Sequence, residues 1–229
     1  MHVVETIYHA KRRIQKLCKY NMDNLIINKK RSKAQSANHT KILLSAVLLI
    51  FCISGFAKEY RIDTASSTLV WEAKKVTGQH VGTLSFGEGI LQVEKKKISG
   101  GKVAVDMNTL VNTDGSGFNK NLVGHLKSDD FFSVAKFPQA TLEVKNVTSK
   151  SDNLYHFTAD LTIKGITAPV EFDAEVNVTS EQLTATGVIV VNRTKYDIKY
   201  RSGSFFSDLG DKMIYDDFTL KFKLAAVKK

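Results

Sequence analysis

The chain has 229 residues, 33 Lys and Arg against 23 Asp and Glu, a formal charge of +10, and two cysteines. The charge is unevenly placed: residues 1–57 hold ten of the basic and two of the acidic side chains, so the remaining 172 residues carry 23 against 21, a net +2, and Cys18 and Cys52 both fall in the first segment. The remainder therefore lacks the basic surface of a nucleic-acid partner and has no thiol for disulfides, thiolate chemistry or cysteine metal sites, and its length suits one domain with a sizeable core.

Residues Ile42–Ala57 form a run of sixteen without a charge, behind Lys41 and ending in Gly-Phe-Ala. That is the pattern of a secretory signal peptide, and it falls short of the ~18 apolar residues of a spanning helix, so a retained anchor is the weaker reading. The basic stretch 1–40 is long for the head of such a signal, and a start at Met22 would shorten it. The expected partition is 1–57 as basic extension plus signal peptide and 58–229 as an exported domain, periplasmic or secreted, beginning near Lys58.

From there the pattern is one of strands, with apolar and polar residues alternating at a period of two. Tyr60–Asp63 is a short opening strand, and Ser67–Val76 a longer one with Leu69, Trp71 and Ala73 on one face. Val81–Phe86 and Ile90–Glu94 read as two strands turned at Gly87–Gly89, and after Lys95–Lys97 comes Gly101–Leu110 with Val103, Val105 and Met107 aligned. Asn112–Lys120, with Gly115 and Gly117, is a loop. In Asn121–Phe132 the periodicity turns helical, with Leu122 and Leu126 four apart, and Phe137-Pro138 ends it. This only helical interruption is expected across or beside a barrel opening, with Leu122, Leu126, Phe131 and Phe132 inward.

Ala140–Val147 is followed by the clearest hairpin in the chain. Tyr155, Phe157, Ala159, Leu161 and Ile163 alternate with polar residues, Gly165 supplies the turn, and Val170, Phe172, Ala174, Val176 and Val178 return, with Pro169 expected at a strand start. Gln182–Asn192 and Met213–Leu224 complete about nine segments. An antiparallel sheet of so many strands curls and closes, which removes its edges. The fold class is all-β: an antiparallel barrel of about eight strands with a short helical segment.

Catalytic patterns are weak. His80, His125 and His156 lie far apart and in no metal-binding spacing, Ser116 is not in a nucleophile elbow, and the carboxylates fit strand surfaces and turns. The apolar strand faces carry Trp71, Phe86, Phe157, Leu161 and Phe172, joined by Phe131 and Phe132 from the helical segment. These seven are the candidate ligand-binding residues if the interior is open, and plain core if it is filled. A barrel of about eight strands has room for side chains or for one slender ligand.

Three stretches, Gly124–Phe132 with Phe137-Pro138 behind it, Leu161–Val170, and Arg193–Tyr196 leading to Gly203–Phe206, together resemble the YceI-like family of polyisoprenoid-binding proteins. The resemblance covers Tyr60 to Leu224. It implies a lipocalin-like barrel, extracytoplasmic in bacteria, that binds an isoprenoid chain or quinone tail, with no established catalytic residue to carry over; no other cofactor and no metal are expected. Its expected partners are that lipid and, transiently, a membrane. An enzyme acting on a small hydrophobic substrate, with Arg193 and Tyr196 or Tyr200 as polar groups, is the alternative, and a structural module with a filled core is a third.

Overall fold

The computed structural model describes residues 57–114 and 120–229. The basic extension, the apolar run and the Gly115–Gly117 loop lie outside them. The alternating segments form nine strands: β1 (Lys58–Ile62), β2 (Thr68–Lys75), β3 (Gly78–Glu94), β4 (Lys97–Asn112), β5 (Gln139–Ser149), β6 (Leu154–Ile163), β7 (Ile166–Val178), β8 (Gln182–Asn192) and β9 (Ile214–Lys228). Among the described residues one helix, α1 (Lys120–Lys127), and 3-10 turns at Arg193–Tyr196 and Gly210–Lys212 interrupt them.

Every pairing between these strands is antiparallel, and β3–β4 pairing closes the sheet into a barrel of eight staves. β1 and β2 share one stave. Both pair with β3 on one side and β9 on the other, one beyond the other along the barrel. The break between them is built from polar side chains: Ser67 Oγ donates to the Asp63 carbonyl (2.7 Å) and accepts from Ala225 N (3.0 Å), so the stave keeps its ladder to β9 through the kink. The Asp63 carboxylate accepts from Ser66 Oγ (2.6 Å), and that bond, helped by the Ser66 and Ala65 backbone, holds its pKa below the usual carboxylate value.

The expected turn at Gly87–Gly89 is absent, and β3 runs through it as one strand of 17 residues. Neither glycine has a positive φ. A Cβ on Gly89 would come within 2.5 Å of Ile62 Cδ1 and 2.9 Å of Lys102 O, so the residue permits close packing, and the register shifts between Phe86 and Gly89 as a bulge. Pro169 also sits inside a strand. β8 pairs with β7 only over Ala174–Val178, so the missing N–H lies where β7 lacks that neighbour.

The two barrel ends differ. The tight β3–β4, β5–β6 and β7–β8 turns mark a hairpin end. The opposite, connection end carries the long β4–β5 segment with α1 and the long β8–β9 segment 193–213. Two core clusters fill these ends, one around Tyr60, Leu91, Val176 and Leu183, the other around Val123, Phe131, Ile163, Tyr196 and Ile198.

Candidate ligand-binding cavity

Inward positions of the strands at mid-height are apolar but not buried. Leu84, Val105, Phe172, Leu220 and Phe222 pack against both core clusters and still keep accessible surface. They face a cavity of about 170 Å³ inside the barrel, lined by apolar side chains apart from Thr141, Arg193 and Tyr215. Trp71, Phe86, Phe131, Phe132, Phe157, Leu161 and Phe172 all line it. The alternation placed the strand residues there, and α1 with the turns after it placed the two phenylalanines.

Aromatic packing shapes the interior. Phe157 and Phe172 stack with centroids 5.1 Å apart and planes within 5°, and Phe172 meets Phe222 edge-on at 5.9 Å. Phe222 owes its place to Gly187, where a Cβ would come within 2.7 Å of the Phe222 ring and 2.9 Å of Asp173 O. Trp71 lies over Gly82 and donates its indole N–H to Val111 O (3.1 Å); a side chain at Gly82 would strike both the ring and that carbonyl. These two glycines were not visible as site residues in the sequence, because close approach leaves no periodic signal.

At the connection end α1 lies beside the cavity through Leu126, and the turns that follow bring in Phe131 and Phe132. Leu122 does not line the cavity; Val123 takes the buried position beneath the helix. The inward face is thus Val123 and Leu126, three apart, and not the expected pair four apart. Around this segment His125, Phe131 and Tyr200 form an aromatic group (centroids 4.6–5.5 Å apart), and Phe132 meets Phe218 at 6.4 Å.

Arg193 is the one charged group at the cavity wall and is 4% exposed. Its guanidinium donates to the carbonyls of Ile198 (2.8 Å), Tyr215 (3.0 Å) and Ile214 (3.0 Å) and faces Asp216 at 3.3 Å. Burial lowers its pKa and Asp216 opposes that shift. Burial also pushes the Asp216 carboxyl up, but hydrogen bonds from Ser202 and Ser204 and the Arg193 charge outweigh it, and the group titrates below its usual value. The arginine therefore ties the start of β9 to the 193–198 segment, with its donors directed at main-chain oxygens. Tyr196 is fully buried with no partner for its hydroxyl and does not line the cavity. Burial raises its pKa to about 12.

The three histidines among the described residues each meet an aspartate at the outside or the rim: His80 with Asp114 (2.7 Å), His125 with Asp130 (3.2 Å) and His156 with Asp173 (2.7 Å). None of them lines the cavity. Among the described residues no group of three or more His, Cys, Asp or Glu is placed to hold a metal ion.

Comparison with known proteins agrees with this architecture. The chain is 34% identical over 138 residues to Protein YceI of Salmonella arizonae and, to the same extent, to that of Salmonella newport, covering 57% of this chain and 68% of each relative. BcnA of Burkholderia cenocepacia has the same fold, with a TM-score of 0.60 at 21% identity over 72% of this chain and 99% of that one. So does a polyisoprenoid-binding domain from Saccharophagus degradans, with a TM-score of 0.55 at 15% identity over 74% and 98%. The YceI-like domain model matches residues 60–226, the whole barrel from β1 to β9, and the chain belongs to the YceI-like domain family.

Proposed function

We propose that the protein is an extracytoplasmic carrier that holds the apolar chain of an isoprenoid or similar lipid inside the barrel. The observation that carries this reading is the cavity, whose mid-height wall of Leu84, Val105, Phe172, Leu220 and Phe222 is apolar and only partly buried. Apolar surface left unburied inside a closed barrel is stabilised by an apolar occupant. The polyisoprenoid-binding domain from Saccharophagus degradans, with the same fold, supports the lipid class. The charge-free run 42–57 behind a basic segment supports export.

An isoprenoid tail has almost no hydrogen-bonding capacity, so length and apolar walls are what its site needs. Burying ~500 Å² of such a chain at ~25 cal/mol/Å² gives a gross gain of ~12 kcal/mol. Association and ordering offset several of those. An apolar cavity of ~150 Å³ takes up a benzene-sized hydrocarbon. The 170 Å³ here houses the first part of a chain, and a longer tail requires the partly buried Phe132 and Phe218 at the connection end to swing aside.

The test is saturable uptake of a fluorescent polyprenyl probe, with circular dichroism to establish folding. Leu161→Asp places a charge in the wall and abolishes uptake; Phe172→Gln, at a partly buried position, serves where the aspartate variant does not fold. His125→Ala, outside the cavity, weakens uptake by less than ~2 kcal/mol. Folded wild type without saturable uptake overturns the carrier reading, and loss of uptake on His125→Ala alone points to a polar site instead.

A further inference from the structure

Among the described residues only two phenylalanines are exposed, Phe205 and Phe206, each with 51% of its surface in solvent. They belong to Gly203–Phe206, one of the stretches that mark the family resemblance, yet neither lines the cavity. The loop is anchored: both backbone N–H groups donate to Ser202 O (3.1 and 3.0 Å), Ser202 is fully buried and bridges to Ile214, and Ser204 Oγ donates to Asp216 (2.6 Å). An ordered backbone thus holds two large apolar rings outward, where exposure forgoes the gain of burying them.

The rings do not stand alone. Met213 packs at Gly203, and Val76, 45% exposed, donates its N–H to Met213 O (3.2 Å). These groups sit at the connection end, where α1 and Phe132 flank the cavity. The nearby charges are mixed: Lys199, whose Nζ lies 5.1 Å from the Phe205 ring centre, Arg201 and Lys212 against Asp197, which pairs with Lys199 at 2.8 Å, Asp208 and Asp211. Balanced charge gives no pull toward a strongly anionic partner, so binding here is by apolar insertion.

We propose that the connection end docks on a lipid bilayer by inserting Phe205 and Phe206 at the level of the head groups, with a neutral phosphatidylcholine surface sufficient for it. This rests on the carrier reading, since a cavity for a lipid chain exchanges its occupant most directly when the end carrying its movable aromatics faces the membrane. The geometry suits such docking, because the inserting loop is bonded to the start of β9, and Arg193 ties the same segment to the cavity wall.

The experiment uses the full chain and vesicles of brominated phosphatidylcholine. Phe205→Trp is expected to lose about half of its emission on binding, whereas Val227→Trp, exposed at the hairpin end, keeps its own; the signal of wild type on the same vesicles is subtracted from both, because Trp71 lines the cavity that a brominated chain can enter. The double variant Phe205→Ser with Phe206→Ser is expected to release the quenching of a tryptophan placed at Val76 by about tenfold in vesicle concentration. Equal quenching at positions 205 and 227, or none at 205 on vesicle-bound protein, overturns the proposal. So does concentration-dependent dimerisation that the double variant abolishes without any change at the vesicles, which would assign the rings to a second copy. Uptake of the polyprenyl probe without vesicles is measured alongside and stays unchanged in the double variant. Docking can thus fail while uptake persists, and a failure of uptake itself falls on the carrier reading.

Discussion

Arg193 shows how a single side chain closes one end of a barrel. Three main-chain carbonyls take up its donors and Asp216 is its ion-pair partner at 3.3 Å, so truncation strips those carbonyls of their side-chain donor and leaves Asp216 with its serine hydroxyls alone. Arg193→Ala is therefore expected to cost about 3–5 kcal/mol in denaturant unfolding, and Arg193→Lys to recover only part, because an ammonium cannot reach three divergent oxygens. Asp216 titrates below its usual value in the fold, so its contribution is present above the unfolded pKa and is lost as pH falls through the folded one. Asp216→Asn should flatten that acid limb of an unfolding titration. Tyr196 has the opposite sign. Its pKa is raised from 10.0 to about 12, so its contribution is full below pH 10 and is lost as pH rises toward 12. With no partner for the hydroxyl, Tyr196→Phe should change stability at neutral pH by less than about 1 kcal/mol and remove that alkaline slope.

At the scale of elements, the β3–β4 hairpin turns on two residues, Lys95 and Lys96, with φ of 49° and 65°. Both central positions of such a turn favour glycine or asparagine. Lys96→Gly is expected to stabilise the fold by about 0.5–1 kcal/mol in thermal or denaturant unfolding. Gly187→Ala should do the reverse, by about 1–3 kcal/mol, since the new methyl meets the Phe222 ring and Asp173 O. Such positions also set what could be read from the sequence. The β6–β7 hairpin was legible almost residue by residue, because a period of two shows wherever one face is wet. The same logic put the five strand candidates, Trp71, Phe86, Phe157, Leu161 and Phe172, along the cavity wall, whereas Phe131 and Phe132 reach it from the turns after the helix. Gly87 and Gly89 misled, because a glycine that admits a neighbour's side chain looks in sequence like one that turns the chain. The helix was legible as an interruption but not in its facing, because eight residues hold too few apolar positions to distinguish Leu122 from Val123. Arg193 gave no periodic sign of its part: its partners are main-chain oxygens 5 to 22 residues away in sequence.

For the whole molecule, an occupant that binds only the folded barrel adds stability by mass action. Saturating polyprenyl probe at about 100 times its dissociation constant is expected to add about 2.7 kcal/mol to unfolding. Differential scanning calorimetry with and without the probe checks this, and an unshifted transition would count against an interior site. Phe132→Ala, which removes a ring standing between the cavity and the connection end, should speed probe exchange more than it changes affinity, a difference visible in stopped-flow release.

The order in which the staves meet has a consequence for how the protein is made. β9 pairs with β8, β2 and β1, so one strand near the end of the sequence joins the first two strands to the eighth. Until residues 214–228 arrive, β8 and the β1–β2 stave are open edges, and the contacts that seal them span separations such as the 149 residues between Glu72 and Lys221. Such long-range closure is slow, and the chain spends that interval as an unsealed sheet able to pair with its neighbours. Truncation before Ile214 would thus leave an aggregating ribbon and not a smaller barrel.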